Sequence, residues 1–163
     1  MDTPLVLVCT HAKRDTCCAV KGRPLAAELV ADYPDMVWET SHTKGHRFAP
    51  SVMLMPWAYS FGRMNKEAAA QMIAAAAKGK YFYPVNRGRG IFGPRGQVAE
   101  LAVARALIDA GEELSYGQLT ATDSGEVSHI DGRRWRVTLE EREVEGVVSS
   151  CGDAPKTGQA LSL

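Results

Sequence analysis

A short apolar run near the N-terminus constrains the fold more than any other part of this sequence. Residues 4–9 are rich in Leu and Val and end at Cys9, which is typical of a strand buried on both faces. Residues 18–33 carry apolar side chains at helical spacing, and residues 36–41 have the composition of a second strand. Strand, helix and strand in this order predict a right-handed βαβ unit.

The rest of the chain predicts a mixed sheet, two more helices and a β-rich C-terminal part. The predicted elements are strands at 51–55 and 58–62, helices at 66–78 and 97–110, a loop at 86–96, and short strands at 116–120, 127–130, 135–139 and 144–148. The last four strands predict an antiparallel meander, and the small polar residues 152–163 predict a flexible tail. We expect one α/β domain over residues 1–163, with a core at about 4–110 and a β-rich extension at about 114–150.

Composition excludes several classes of protein. Lys and Arg together number 19, as do Asp and Glu, so no net charge attracts nucleic acid or an anionic membrane. No apolar stretch reaches the roughly 18 residues of a membrane span, and residues 5–9 are too few for the apolar block of a signal peptide. We therefore expect a cytoplasmic protein without a nucleic-acid or membrane partner, in which glutathione keeps the cysteines reduced.

Two cysteines and two histidines lie near the ends of the first two predicted strands. Eight residues separate Cys9 from Cys18, and three separate His42 from His46. Because the βαβ order brings both strand ends to one edge of the sheet, we predict that the four side chains form one metal site. Thiolates and imidazoles suit zinc, and they also match the ligand count of a 2Fe-2S cluster in which two histidines replace two cysteines.

Residue spacing disfavours several other sites. Structural zinc sites usually take two cysteines from one tight turn, which this chain does not offer, although zinc stays open. His-x3-His lacks the Glu base of a metalloprotease. A Rieske centre needs Cys and His in each of two boxes, and only the segment from Cys9 to His11 resembles one. Adjacent Cys17 and Cys18 lack the C-x-x-C spacing of thiol–disulfide enzymes.

The residues around these candidate ligands resemble a known family. The runs V-C-T-H-A-K-R-D-T-C-C-A-V-K-G-R-P-L and W-E-T-S-H-T-K-G-H-R-F-A are similar to the sucrase/ferredoxin-like family of thioredoxin-like ferredoxins, over roughly residues 5–110. The resemblance implies a thioredoxin-like ferredoxin fold and a bis-histidinyl, non-Rieske 2Fe-2S cluster. It implies that Cys9 and Cys18 hold the iron that stays ferric, and that His42 and His46 hold the reducible iron. Lys44 occupies a position where the family motif usually has Gly.

These observations predict one-electron transfer or redox sensing with an unidentified redox protein as donor or acceptor, and no enzyme activity of the chain itself. A zinc-stabilised Cys2His2 binding module is the alternative. We expect Cys17 to pack in the core or beside the cluster, Cys151 to have no part in the site, and His11 to lie in solvent or in loop contacts. Arg87 and Arg89 either line the cluster edge, dock an acidic partner, or belong to a solvated loop.

Reduction of such a site is expected to take up a proton. An imidazole bound to iron through one nitrogen keeps a second, protonatable nitrogen, and reduction weakens the pull of the metal on it. The reduction potential should therefore fall as pH rises through the neutral to alkaline range, which spectroelectrochemistry over a pH series would measure. A potential that stays flat from acid to alkaline pH would contradict this coupling.

Overall fold

A five-stranded mixed sheet forms the centre of the structure, a computed structural model that describes residues 3–13 and 15–163. Its strands are β1 (Leu5–Cys9), β2 (Val37–Thr40), β3 (Val52–Met55), β4 (Tyr59–Phe61) and β5 (Asn86–Arg89), in the order β2-β1-β3-β4-β5. β1 pairs in parallel with β2, as the βαβ prediction requires, and antiparallel with β3.

Three helices flank this sheet. They are α1 (Thr16–Asp32), α2 (Lys66–Ala77) and α3 (Pro94–Asp109). α1 packs against β1 and β2, and α3 packs against β5. The predicted mixed α/β architecture, with helices around a mixed sheet, is therefore confirmed. Within the described residues, no helix has both the length and the apolar character needed to cross a membrane.

The core lies mainly on one face of β1. Val6 and Val8 are fully buried there with Leu29 of α1, whereas Leu5 is 40% exposed and Leu7 is half-buried. The prediction that this strand is buried on both faces was therefore wrong. Side chains alternate across a strand, and the helices cover the second face of β1 only in part.

The C-terminal part differs from the predicted four-stranded meander. A three-stranded antiparallel sheet contains β6 (Leu119–Ala121), β7 (Glu126–His129) and β8 (Arg134–Arg136). β9 (Glu140–Val147) pairs instead with β10 (Lys156–Ser162), which lies in the tail that was expected to be flexible. Pairing with β9 satisfies the backbone polar groups of this tail, and its small polar residues do not reveal that partner.

Three local differences follow from tertiary or capping contacts. α1 begins two residues earlier than predicted because the Asp15 carboxylate caps it, accepting a 2.8 Å hydrogen bond from the Cys17 N–H. Residues 86–89, predicted as loop, form β5 because they pair with β4. On α3 the charged residue Glu100 is fully buried, which its position in the helical pattern does not predict.

Glu100 is a fully buried carboxyl group beside an aromatic cluster. The Tyr59 hydroxyl donates a hydrogen bond to Glu100 Oε1, while Oε2 has no partner within the described part of the chain. The rings of Tyr81 and Tyr116 lie 5.3 and 4.9 Å from the Tyr59 ring. Burial raises the pKa of Glu100 to about 7, against smaller opposing effects of the Tyr59 hydroxyl and of Arg89.

The buried carboxyl group should make the fold less stable as pH rises. Because the pKa of Glu100 is about 7 in the folded chain and 4.5 ordinarily, the folded state binds more protons between those values. The free energy of unfolding should fall by roughly 3 kcal/mol across this range, at about 1.4 kcal/mol per pH unit. Denaturant titrations over a pH series would measure this slope.

Glu100→Gln keeps an oxygen acceptor for Tyr59 and removes the titration, so its stability should vary much less with pH. Glu28→Gln, an exposed change on α1, is the matched control and should keep the slope of the original chain. A Glu100→Gln chain whose stability still falls as steeply would refute the assignment.

Candidate metal centre

Cys9 and Cys18 form a buried pair of thiols where β1 ends and α1 begins. Each is 1% exposed, and neither is in a disulfide. Gly22 permits the close approach of the two elements, since a Cβ at that position would collide with the Cys9 carbonyl oxygen. The structure therefore brings together the two cysteines that the sequence predicts as ligands.

Burial raises the pKa of the Cys18 thiol to about 12, and the neighbouring Cys9 thiol and the Asp15 carboxylate act in the same direction. The two thiols pack against each other. Without a metal the Cys18 thiol is therefore neutral. A metal ion bound there would displace the thiol proton, which is the usual effect of coordination on a cysteine.

His42 and His46 lie on the loop that follows β2. Their ring centroids are 5.4 Å apart, and His46 opens a short 3-10 helix (His46–Phe48). Nδ1 of His46 is buried and has no hydrogen-bond partner among the described residues, so a donor atom is available to a metal ion. Ala49, three residues further on, packs with Cys9 and Cys18. The end of the histidine loop thus contacts the thiol pair.

The turn between the two histidines has a left-handed backbone. The φ angles are 63° at Lys44 and 74° at Gly45. Glycine adopts such angles without steric cost, whereas Lys44 does so with a full side chain. The loop therefore keeps the backbone conformation that a glycine at the position of Lys44 would favour.

The side chains of Arg87 and Arg89 make different contacts, although both were candidates for the same role in the sequence. The Arg87 guanidinium packs against the histidine loop, where a Cβ on Gly45 would collide with Arg87 Nη1. Arg89 Nε instead donates a 2.8 Å hydrogen bond to the Trp57 carbonyl oxygen. An irregular register between β4 and β5 separates the two side chains.

The four predicted ligands come together as two pairs and not as one tetrahedral group. All four lie in the described residues, and no three of them have ligand atoms within 4.8 Å of one another. One zinc ion with bonds of about 2.0–2.3 Å would need its donor atoms closer than that. A 2Fe-2S cluster takes two protein ligands on each iron, so separated pairs suit it better.

Cys17 and Cys151 form a disulfide, so the prediction that all four cysteines are thiols was wrong. Their Cα atoms are 5.7 Å apart, although their positions in the sequence differ by 134. Both carboxylate oxygens of Asp15 accept 2.8 Å hydrogen bonds from the backbone N–H groups of these two cysteines. Cys151 therefore has a specific partner, because the turn of the β9–β10 hairpin returns to the start of α1. No local sequence pattern encodes this pairing.

The remaining histidines also have specific surroundings. His11 is half-buried, and its Nδ1 is buried without a hydrogen-bond partner among the described residues. His129 accepts a 3.1 Å hydrogen bond at Nδ1 from the Asp131 N–H. His11 is thus a second histidine with an unused donor atom, next in sequence to the thiol strand.

Three arginines surround the ring of Phe48 beside the histidine loop. The guanidinium carbons of Arg47, Arg63 and Arg87 lie 4.6, 5.7 and 4.3 Å from the ring centroid. Of these three, only Arg87 was predicted from the sequence as a candidate to line the site or to dock a partner. The position of Arg47 directly after His46 was an available signal, whereas Arg63 reaches the loop only through tertiary folding.

The first 88 residues identify the family. A sequence model of the sucrase/ferredoxin-like family matches residues 1–88, more than half of the chain. The chain belongs to the sucrase/ferredoxin-like family, and the resemblance noted from its motifs is confirmed. No curated protein matches the chain at a significant level.

The chain is also similar to solved structures of a thioredoxin-like [2Fe-2S] ferredoxin from Aquifex aeolicus. One is 15% identical with a TM-score of 0.45, over 55% of this chain and 94% of that chain. Another, of the wild-type protein, is 16% identical with a TM-score of 0.39, over 48% and 89% of the two chains.

Gly45→Ala should destabilise the chain more than Gly79→Ala. The φ angles are similar, 74° and 69°, but a Cβ meets nothing within 4 Å at Gly79 and collides with Arg87 at Gly45. Gly79→Ala should cost about 1 kcal/mol, the backbone cost alone. Gly45→Ala should cost more in denaturant unfolding by the free energy of moving the end of the Arg87 side chain away from the loop and from Phe48, and it should also lower the metal content. Equal losses in the two variants would show that the packing of Arg87 against this loop adds no stability.

Proposed function

We propose that this chain is a one-electron carrier or redox-sensing protein that holds one 2Fe-2S cluster through Cys9, Cys18, His42 and His46. One observation carries the proposal. Two buried free thiols that pack together contact the end of a histidine loop on which Nδ1 of His46 is buried without a partner among the described residues. Buried polar atoms normally have partners, so this donor atom supports a ligand role.

The residues fit such a cluster in chemistry as well as in number. Cys9 and Cys18 would hold one iron as thiolates, and the N–H groups at the start of α1 favour negative charge there. His42 and His46 would hold the other iron as neutral imidazoles, which makes the site less negative than four thiolates and raises its reduction potential. When bound, the cluster supplies reversible one-electron transfer.

The surroundings of the histidine loop favour electron uptake. Arg87 packs against Gly45, and Lys44 and Arg47 adjoin the two histidines in sequence. Positive charge near a redox centre stabilises its reduced, more negative state. We also propose the proton uptake on reduction that the sequence predicts, with the histidine nitrogen not bound to iron as the proton site.

An electron donor or acceptor is needed for this function. The guanidinium groups around Phe48 form a basic edge beside the loop, and acidic protein surfaces are steered to such an edge. We propose a redox protein with an acidic docking surface as the partner. The chain would then pass electrons without a catalytic step of its own.

Spectroscopy with metal analysis tests the cluster. Protein purified without air should be reddish, contain about two irons per chain, and give an electron-paramagnetic-resonance signal only after reduction. His42→Cys and His46→Cys should keep iron, shift this signal and lower the reduction potential, because a thiolate adds negative charge to the site.

His129→Cys is the matched control, because the same substitution on β7 lies outside the proposed site and should leave the spectrum unchanged. A spectrum that shifts in His11→Cys but not in His42→Cys would replace His42 by His11 in the ligand set. Colourless protein with about one zinc per chain would instead support a zinc-stabilised Cys2His2 module and rule out electron transfer.

A further inference from the structure

A cavity of about 560 Å³ lies between the β9–β10 hairpin and the histidine loop. Val144 and Val147 line it from the hairpin, and Phe48 and the proposed ligand His46 line it from the loop. Both members of the disulfide, Cys17 and Cys151, are in its wall. The cavity therefore adjoins the candidate metal centre and is large enough for a small molecule, and the proposed cluster does not use the disulfide in its wall.

Positive charge lines this cavity without a counter-charge. Its formally charged lining residues are Lys21, Arg47 and Arg63, and no acidic residue lines it. In the parts of the chain that the structure describes, none of these three cations has a carboxylate within 4.0 Å. Burial lowers the pKa of the adjacent Arg87, and the charge of Arg47 lowers it further. Like charges held together in this way favour an anionic occupant.

The disulfide presents Cys151 to solvent and Cys17 to the start of α1. Cys151 is exposed, and Cys17 is half-buried in the first helical turn. The carboxyl group nearest to the disulfide, that of Asp15, is only 4% exposed, and both of its oxygens accept hydrogen bonds from the two cysteine N–H groups. Cys151 is therefore the sulfur accessible to an attacking thiolate, and Cys17 is the leaving group.

We propose that this cavity binds a small anionic thiol, which reacts with the Cys17–Cys151 disulfide by thiol–disulfide exchange. The thiolate attacks Cys151 Sγ and forms a new S–S bond there. The bond between Cys151 and Cys17 breaks, and Cys17 leaves as a thiolate that takes a proton from water. A second thiol attacks the mixed disulfide, which leaves two protein thiols and one oxidised thiol dimer.

Exchange releases the tip of the β9–β10 hairpin from its covalent attachment to α1. At the base of the hairpin, Arg95 Nη2 donates a 3.2 Å hydrogen bond to the Leu139 carbonyl oxygen, and Arg95 Nη1 lies 3.5 Å from Glu141. The base thus stays attached, while the tip loses its covalent link to α1 and keeps the hydrogen bond from the Cys151 N–H to Asp15 Oδ2. Cys17 is next to Cys18 in sequence, so exchange at the disulfide would affect the metal centre. This effect on the metal centre rests on the proposed function, whereas the exchange reaction itself does not.

Exchange kinetics with thiols of different charge test the proposal. The disulfide-bonded protein, with its bound metal, is mixed with glutathione, 2-mercaptoethanol or cysteamine, which are anionic, neutral and cationic, and then quenched with acid. Digestion and mass spectrometry locate the mixed disulfide. Per thiolate, glutathione should react about tenfold faster than cysteamine at low ionic strength, and this ratio should collapse at roughly 1 M salt.

Charge removal inside and outside the cavity gives matched comparisons. Lys21→Gln and Arg63→Gln should each lower the glutathione-to-cysteamine ratio about threefold. Lys78→Gln and Arg134→Gln remove the same charges from exposed positions outside the cavity, and they should leave the ratio unchanged. Because both thiols react with the same variant, a change in the stability of that variant affects both exchange rates and leaves their ratio unchanged.

Three results would overturn the proposal. They are an unchanged ratio in both cavity variants, thiol adducts on Cys9 or Cys18 in place of Cys151, and alkylation of both Cys17 and Cys151 in native protein exposed to air. Mass spectrometry does not depend on iron. Charge-selective exchange in a chain that proves to contain zinc would therefore support the thiol site while the proposed electron-transfer function fails.

Discussion

The close packing of α1 against the end of β1 is the constraint on which the rest of the site depends. Gly22 has no side chain to collide with the Cys9 carbonyl oxygen, so the start of the helix can reach the strand end. Cys18 then lies beside Cys9, and both thiols leave solvent. The same helix start carries Asp15, which caps α1 and holds the backbone of Cys151. One backbone contact thus organises the thiol pair and the attachment of the hairpin.

The chain has no net charge, but its positive and negative side chains are distributed unevenly over its surface. Three acidic residues of the C-terminal region form ion pairs: Glu112 with Arg133, Glu113 with Lys80, and Glu126 with Arg136. The arginines around Phe48 instead share one aromatic ring, and none of them has a carboxylate within 4.0 Å among the described residues. Local charge, and not the overall balance, therefore sets which partners and ligands this edge attracts.

The β9–β10 hairpin connects the thiol chemistry of the chain to its candidate metal centre. The two strands pack chiefly on each other, and the hairpin is attached to the rest of the chain by Arg95 at its base and by Cys151 in its turn. An element held at a few points can change position when one attachment is broken, while the central sheet stays intact. Cys17 and Cys18 are adjacent, so one helical turn takes part in both the disulfide and the candidate centre.

The sequence by itself determined the βαβ unit, the two alanine- and leucine-rich helices, the family, and two pairs of candidate ligands, Cys9 with Cys18 and His42 with His46. These features depend on residue patterns within one helix or strand, or on the spacing of a short motif. Local backbone propensity and side-chain burial are enough to produce such patterns in the folded chain. Only the tertiary structure decided that 86–89 pairs with β4, that Lys156–Ser162 pairs with β9, that Glu100 is buried against Tyr59, and that Cys17 bonds to Cys151. Each of these depends on where distant segments meet in space, because a polar strand or a lone cysteine acquires its partner only when the chain returns to it.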